Sequence, residues 1–123
     1  MNNAVCAIIF NESGQLLATH RRDDNNDWGL PGGKVDPGEP GLTAIIREVI
    51  EETGIETTYS YIRTRPDGIY QVACYFGSTP GIKQVTDDHE GLGAWVDPKL
   101  VLTGSFGEFN RSLFSAAGLY QYL

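Results

Sequence analysis

Apolar residues in this chain change period three times, and each change marks a structural element. The run AVCAIIF, residues 4–10, is short, apolar and rich in β-branched residues, so it predicts a strand. NESGQ follows as a turn containing Gly14, and LLATHRR, residues 16–22, is a second run. The two predict a hairpin. DDNNDWG reads as a polar loop. LPGGKVDPGEPG is too dense in Gly and Pro for a regular helix or a central strand. From about Pro40 the spacing becomes helical: Leu42, Ile45, Ile46, Val49 and Thr53 recur at three and four residues. Pro40 suits a first helical position, and Gly54 a left-handed C-terminal cap. TTYSYIRT and GIYQVACYF are strand-like runs separated by the turn RPDG. A long polar stretch, STPGIKQVTDDHEGLG, precedes the short strand AWV. Phe109, Leu113, Phe114 and Ala117 predict a C-terminal helix. Mixed strands and helices in one unit predict an α+β fold, a sheet with helices packed against it.

The central helix carries charges that its own field opposes. Its last turn, the negative end of the dipole, favours Lys or Arg. It instead holds Glu51 and Glu52, with Glu48 one turn earlier. At spacings of three and four these side chains are neighbours. A solvated acidic face would tolerate such a set at about 0.2–0.5 kcal/mol per like-charge pair. A hard divalent cation would explain it. Arg47, four residues before Glu51, can reach one of the acids. The glycine pair Gly32 and Gly33, upstream of the helix, allows close backbone approach to a ligand. Neither GxxxxGK[ST] nor GxGxxG is present, which sets aside a P-loop and a dinucleotide fingerprint.

Residues 33–55 read G-x5-E-x7-R-E-V-I-E-E-T-G-I. This frame resembles the signature of the Nudix hydrolases, and the preceding WGLPG resembles the MutT-like, nucleoside triphosphate branch. The resemblance implies an α/β/α sandwich around a mixed sheet, one domain over residues 1–123 with its box at 33–55, and Mg²⁺- or Mn²⁺-dependent cleavage of a diphosphate bond. By position it implies Glu48, Glu51 and Glu52 as metal ligands, with the Gly32 carbonyl joining them. Glu39 matches the first box glutamate and Arg47 the arginine that orients the acids. The base that takes a proton from water is implied at Glu48 or on a distant loop, where Glu90 is the candidate. Arg21 and Lys34 are candidates for phosphate contact, and Asn110 for reading the base. Gly68 stands about where MutT relatives carry a further ligand-binding Arg, so the resemblance leaves 8-oxoguanine recognition open. Nucleoside triphosphates lead as substrates. Nucleoside diphosphate sugars and dinucleoside polyphosphates are the alternative, and a non-catalytic nucleotide sensor is the second.

Composition narrows the partners. The chain of 123 residues has a formal net charge of −7 and no basic patch, so nucleic acid is an unfavourable partner. No apolar run is long enough to span a bilayer, and the start lacks the basic region of a signal peptide. A cytoplasmic monomer or homodimer is expected. Cys6 and Cys74 sit in apolar runs and read as buried free thiols.

Overall fold

A computed structural model describes residues 2–81, Val85 and 92–123. The elements follow in the order β1 (Asn2–Ile9), β2 (Leu16–His20), β3 (Trp28–Gly29), β4 (Gly32–Lys34), α1 (Gly41–Thr53), β5 (Tyr59–Asp67), β6 (Tyr70–Gly77), β7 (Gly93–Val96), α2 (Lys99–Thr103) and α3 (Gly107–Ala116). A short 3₁₀ turn at Tyr120–Tyr122 follows. One sheet runs β4-β1-β6-β5 and the other β3-β2-β7. The first is mixed: β1 pairs parallel with β6 and antiparallel with β4.

β1 explains the layering. Successive side chains on a strand point to opposite faces. Val5, Ala7 and Ile9 face one way and pack with Ala44, Ile45 and Val49 of α1. Cys6 and Ile8 face the other way and pack with Leu113 and Phe114 of α3 and with Val101 and Leu102 of α2. A strand buried on both faces reads as a continuous apolar run, which is the character of AVCAII. The result is the sandwich expected from the sequence: helix, mixed sheet, helices.

Three local expectations are modified. The predicted hairpin between residues 4–10 and 16–22 is reduced to its turn and one bridge, Phe10 to Leu16. Asn11 Oδ1 accepts the Ser13 and Gln15 N–H groups, so the turn itself is well built. The strands then part: β6 runs along the length of β1, β4 pairs with Ala4, Val5 and Cys6, and β2 pairs instead with β3 and β7. Second, α1 is rolled relative to the predicted stripe. Leu42 and Ile46 are 48% and 40% exposed, whereas Glu52 is buried at 7%. The roll brings the acidic side of the helix towards β4. Pro40 is the residue before the helix rather than its first, and Gly54 caps it at φ 75°, its N–H donating to the Ile50 carbonyl. Third, α2 has no counterpart in the periodicity. Its signal is DPKL: Asp97 Oδ1 accepts the Lys99 N–H at 3.0 Å, and Pro98 opens the turn.

The rolled helix makes a stability prediction. Ile45→Ala removes a fully buried side chain and should cost about 2–5 kcal/mol. Leu42→Ala lies on the exposed side and should cost within about 0.5 kcal/mol. Urea unfolding of both variants checks this. Equal losses would restore the stripe expected from the sequence.

Candidate active site

The acidic turn of α1 is fastened to β4 by two contacts, of which the second needs glycine. The Gly32 N–H donates to Glu52 Oε1 at 2.9 Å. The Glu48 carboxyl lies against Gly33 so closely that an added Cβ would stand 2.6 Å from its carboxyl carbon. Glu52 is therefore buried and Glu48 nearly so, whereas Glu51 is half exposed.

Arg47 organises the loop before the helix and the acids on it. Its Nε and Nη2 donate to the two carboxylate oxygens of Glu39, both at 2.9 Å. Its Nη1 donates to Glu48 Oε1 at 3.0 Å and to Glu51 Oε2 at 3.2 Å. Nη2 also reaches the Lys34 carbonyl at 3.2 Å, and Asp36 lies 3.6 Å away. The expected single contact from Arg47 to one acid is thus a hub touching several. Planar, forked guanidinium geometry suits this and an ammonium does not. The Arg47 hydrogen bonds, with a further one from the Asp36 N–H, hold the Glu39 carboxyl down at about 2 against an ordinary 4.5. Arg47 is shifted up, chiefly by Glu39.

A cavity of about 310 Å³ opens beside this turn, with Gly32 and Gly33 in its wall. Arg21 and Asn110 both line it. Arg21 is also ion-paired, its Nε 2.9 Å from Asp23 Oδ1. Asn110 is buried, its Nδ2 donating to the Val101 carbonyl at 2.9 Å. Lys34 lies outside this cavity: it lines another with Asp36, Glu39 and Tyr70, its Nζ 6.0 Å from the Tyr70 ring centre. Glu90 lies outside the described residues.

Several wall residues carried no motif in the sequence. Phe106 and Phe109 line the cavity, and the Phe106 ring packs onto Gly29. Asp27 ties β3 to the segment before α3 by accepting from the Ser105 hydroxyl and, at 2.9 Å, from the Ser105 N–H. Those bonds hold the Asp27 carboxyl below its ordinary range. His20, expected in a bland role, stands edge-on to Trp28 with ring centres 5.3 Å apart and also borders the cavity. Cys6 and Cys74 are buried free thiols with sulfurs 3.6 Å apart.

The NUDIX domain family matches residues 1–116. The chain belongs to the NUDIX family. Among curated proteins, the NUDIX chain is 40% identical over 95 residues to a Bacillus subtilis (strain 168) protein that carries the provisional name 8-oxo-dGTP diphosphatase. That match covers 74% of this chain and 63% of the relative, so the chain spans less than two thirds of that protein's length. It is 31% identical to nucleoside triphosphatase NudI of Enterobacter sp. (strain 638), covering 94% of this chain and 95% of the relative. Among solved structures, a MutT from work on Aliivibrio salmonicida and Vibrio cholerae superposes with a TM-score of 0.71 at 25% identity, covering 93% of this chain and 94% of that one.

The donor set of this NUDIX site fits the divalent metal that the family implies. Carboxylates and a backbone carbonyl are hard oxygen donors of the kind Mg²⁺ and Mn²⁺ prefer. The glycine cradle under Glu48 holds a carboxylate where a Cβ would exclude it. Among the described residues, no three acidic, His or Cys side chains already surround one metal position. Arg47 supplies the compensating positive charge for Glu48 and Glu51 in this arrangement.

The Glu39–Arg47 pair predicts an acid-side stability profile. Glu39 has a depressed folded value, so its contribution is present above about 4.5 and is lost as pH falls towards about 2. Glu39→Gln should flatten the pH dependence of the melting temperature across that window and leave its shape above pH 6 unchanged. A variant profile parallel to the wild type down to pH 2 would remove Glu39 from the account.

Proposed function

We propose that this chain is a divalent-metal-dependent pyrophosphohydrolase of nucleoside triphosphates, releasing a nucleoside monophosphate and pyrophosphate. One observation carries the reading: the acidic turn of α1 and the cavity meet at the same two residues, Gly32 and Gly33. A nucleoside seated in the cavity would present its phosphates to Glu48, Glu51 and Glu52. The names of the Bacillus and Enterobacter relatives support a nucleoside triphosphate as substrate.

Glu48, Glu51, Glu52 and the Gly32 carbonyl are the residues that would hold Mg²⁺ or Mn²⁺. The bound ions would neutralise phosphate charge and lower the pKa of a coordinated water. Glu48 is the base we favour for that water's proton, because its carboxyl is fixed against β4; Glu90 is the other candidate. Arg47 is a positioning residue: it holds Glu48 and ties the helix to Glu39 and the Lys34 carbonyl. Arg21 contacts phosphate only by exchanging Asp23 for substrate. Asn110 borders the cavity with an amide already oriented by Val101, which suits reading a base edge. Lys34 fits a peripheral electrostatic role better than direct contact, given the cavity it lines. We further propose a single domain over residues 1–123, acting in the cytoplasm as a monomer or homodimer on small nucleotides and not on nucleic acid.

A nucleotide panel with Mg²⁺ or Mn²⁺, its products resolved by chromatography, tests the reading. Nucleoside triphosphates should yield monophosphate and pyrophosphate, and chelation should stop turnover. Arg47→Lys, which keeps the charge and loses the fork, should lower kcat/KM by about 10–100-fold. Glu52→Gln should abolish most turnover at saturating metal. Near-normal turnover in Glu52→Gln, or cleavage confined to nucleotide sugars, would displace the proposal.

A further inference from the structure

Asp67 ends β5 where the chain turns into β6, its backbone paired with Tyr70 across the turn. It lines the cavity that also contains Asn110, and it lines a neighbouring cavity of about 400 Å³ as well. Phe106 and Phe109 are common to both, so Asp67 stands at the rim where the two spaces join. Its charge reaches inward. The Cys6 thiol on the cavity wall is pushed up by its hydrogen bond with Cys74, by burial and, further, by the Asp67 carboxylate.

Three acids on neighbouring segments are held by partners, and Glu108 lines only the second of the two spaces. Asp23 is held by Arg21, Asp27 by Ser105, and Glu39 by Arg47. Among the described residues, the Asp67 carboxylate has neither an ion pair nor a side-chain hydrogen bond. An ionised carboxylate only accepts hydrogen bonds. Beside a polyanionic substrate it opposes binding unless the substrate brings donors to it. Two adjacent N–H donors on one heterocyclic edge match its two oxygens.

On the reading of this site as a nucleoside triphosphate pyrophosphohydrolase, we propose that Asp67 selects the base, accepting the ring N–H and the exocyclic amino group of a 2-amino-6-oxopurine. Uracil and thymine present carbonyl oxygens beside their one ring N–H, and adenine and cytosine present an unprotonated ring nitrogen beside their amino group. Each of these sets a lone pair against the carboxylate. Asn110, with its Nδ2 tied to Val101, keeps Oδ1 for a second point of contact.

GTP and ITP isolate the contact, since they differ only in the 2-amino group. Wild-type protein should favour GTP over ITP by about 10–100-fold in kcat/KM, as expected when a site's polar group is left unpaired. Asp67→Asn, which keeps the shape and loses the charge, should bring that ratio within about 3-fold, and Asp67→Ala should do the same. Turnover of ITP should fall less than that of GTP, because ITP loses only the ring N–H contact and GTP loses that and the amino contact; a merely structural role would lower both alike. Calorimetry with GDP and IDP provides a readout without catalysis and should show the same preference and its loss. Equal use of GTP and ITP by the wild type, or a ratio unmoved in Asp67→Asn, overturns the assignment. No hydrolysis of any triphosphate, with an Asp67-dependent preference for GDP retained, overturns the hydrolytic reading and leaves this one standing.

Discussion

The Arg47 guanidinium is the interaction on which the rest of the site depends. One planar cation joins the approach loop, through Glu39 and the Lys34 carbonyl, to the helix acids Glu48 and Glu51. Without it, three carboxylates at the negative end of a helix would repel one another and the helix dipole. With it, Glu48 is held against Gly33 and the loop is held against the helix. Solvent screening limits what a part-exposed network adds to folding. Its consequence is positional: the acids stand at one place on β4, beside the cavity.

The two glycines translate that position into a site. Gly32 offers its N–H to Glu52, and Gly33 offers the absence of a side chain to Glu48. Both also form part of the cavity wall. The cavity is completed by the second sheet and by the segment before α3, which Asp27 pins through Ser105. The sandwich therefore separates two tasks. Its core faces hold the strands, while the edge strand β4 and the acidic turn of α1 meet at the cavity wall.

Much of this was legible in the sequence because it is local. The helix beginning near Pro40, its Gly54 cap and the spacing of the acids follow from short-range rules. The turn expected at RPDG instead falls later, at Gly68 and Ile69, because Arg65, Pro66 and Asp67 pair with Val72, Gln71 and Tyr70. The roll of α1 was not legible. Periodicity placed Leu42 and Ile46 on the core side, but the contacts from Gly32 and Gly33 draw Glu52 inward and turn those residues out. Such contacts join Gly32 to Glu52 and Gly33 to Glu48, far beyond any helical wheel. The failed hairpin has the same origin: residues 16–20 pair with β3 and β7, partners distant from the turn, rather than with β1. Asp67, Phe106 and Asp27 carry no motif at all: Asp67 and Phe106 meet at the cavity, and Asp27 bonds Ser105, only through the tertiary fold. DPKL did hold a cap signal for α2, one that hydrophobic spacing passes over.

The central claim is that the opposed charges at the end of α1 exist to hold a divalent cation next to a nucleotide cavity. Crystals grown with Mn²⁺ and a non-hydrolysable nucleoside triphosphate, measured for anomalous scattering from manganese, test it most directly. The account predicts a peak at about 2.0–2.3 Å from carboxylate oxygens of the Glu48, Glu51 and Glu52 set, with the Gly32 carbonyl and substrate phosphate completing the shell. Manganese bound to the nucleotide alone, with Glu48 and Glu51 still held by Arg47 and Glu52 by the Gly32 N–H, would contradict it.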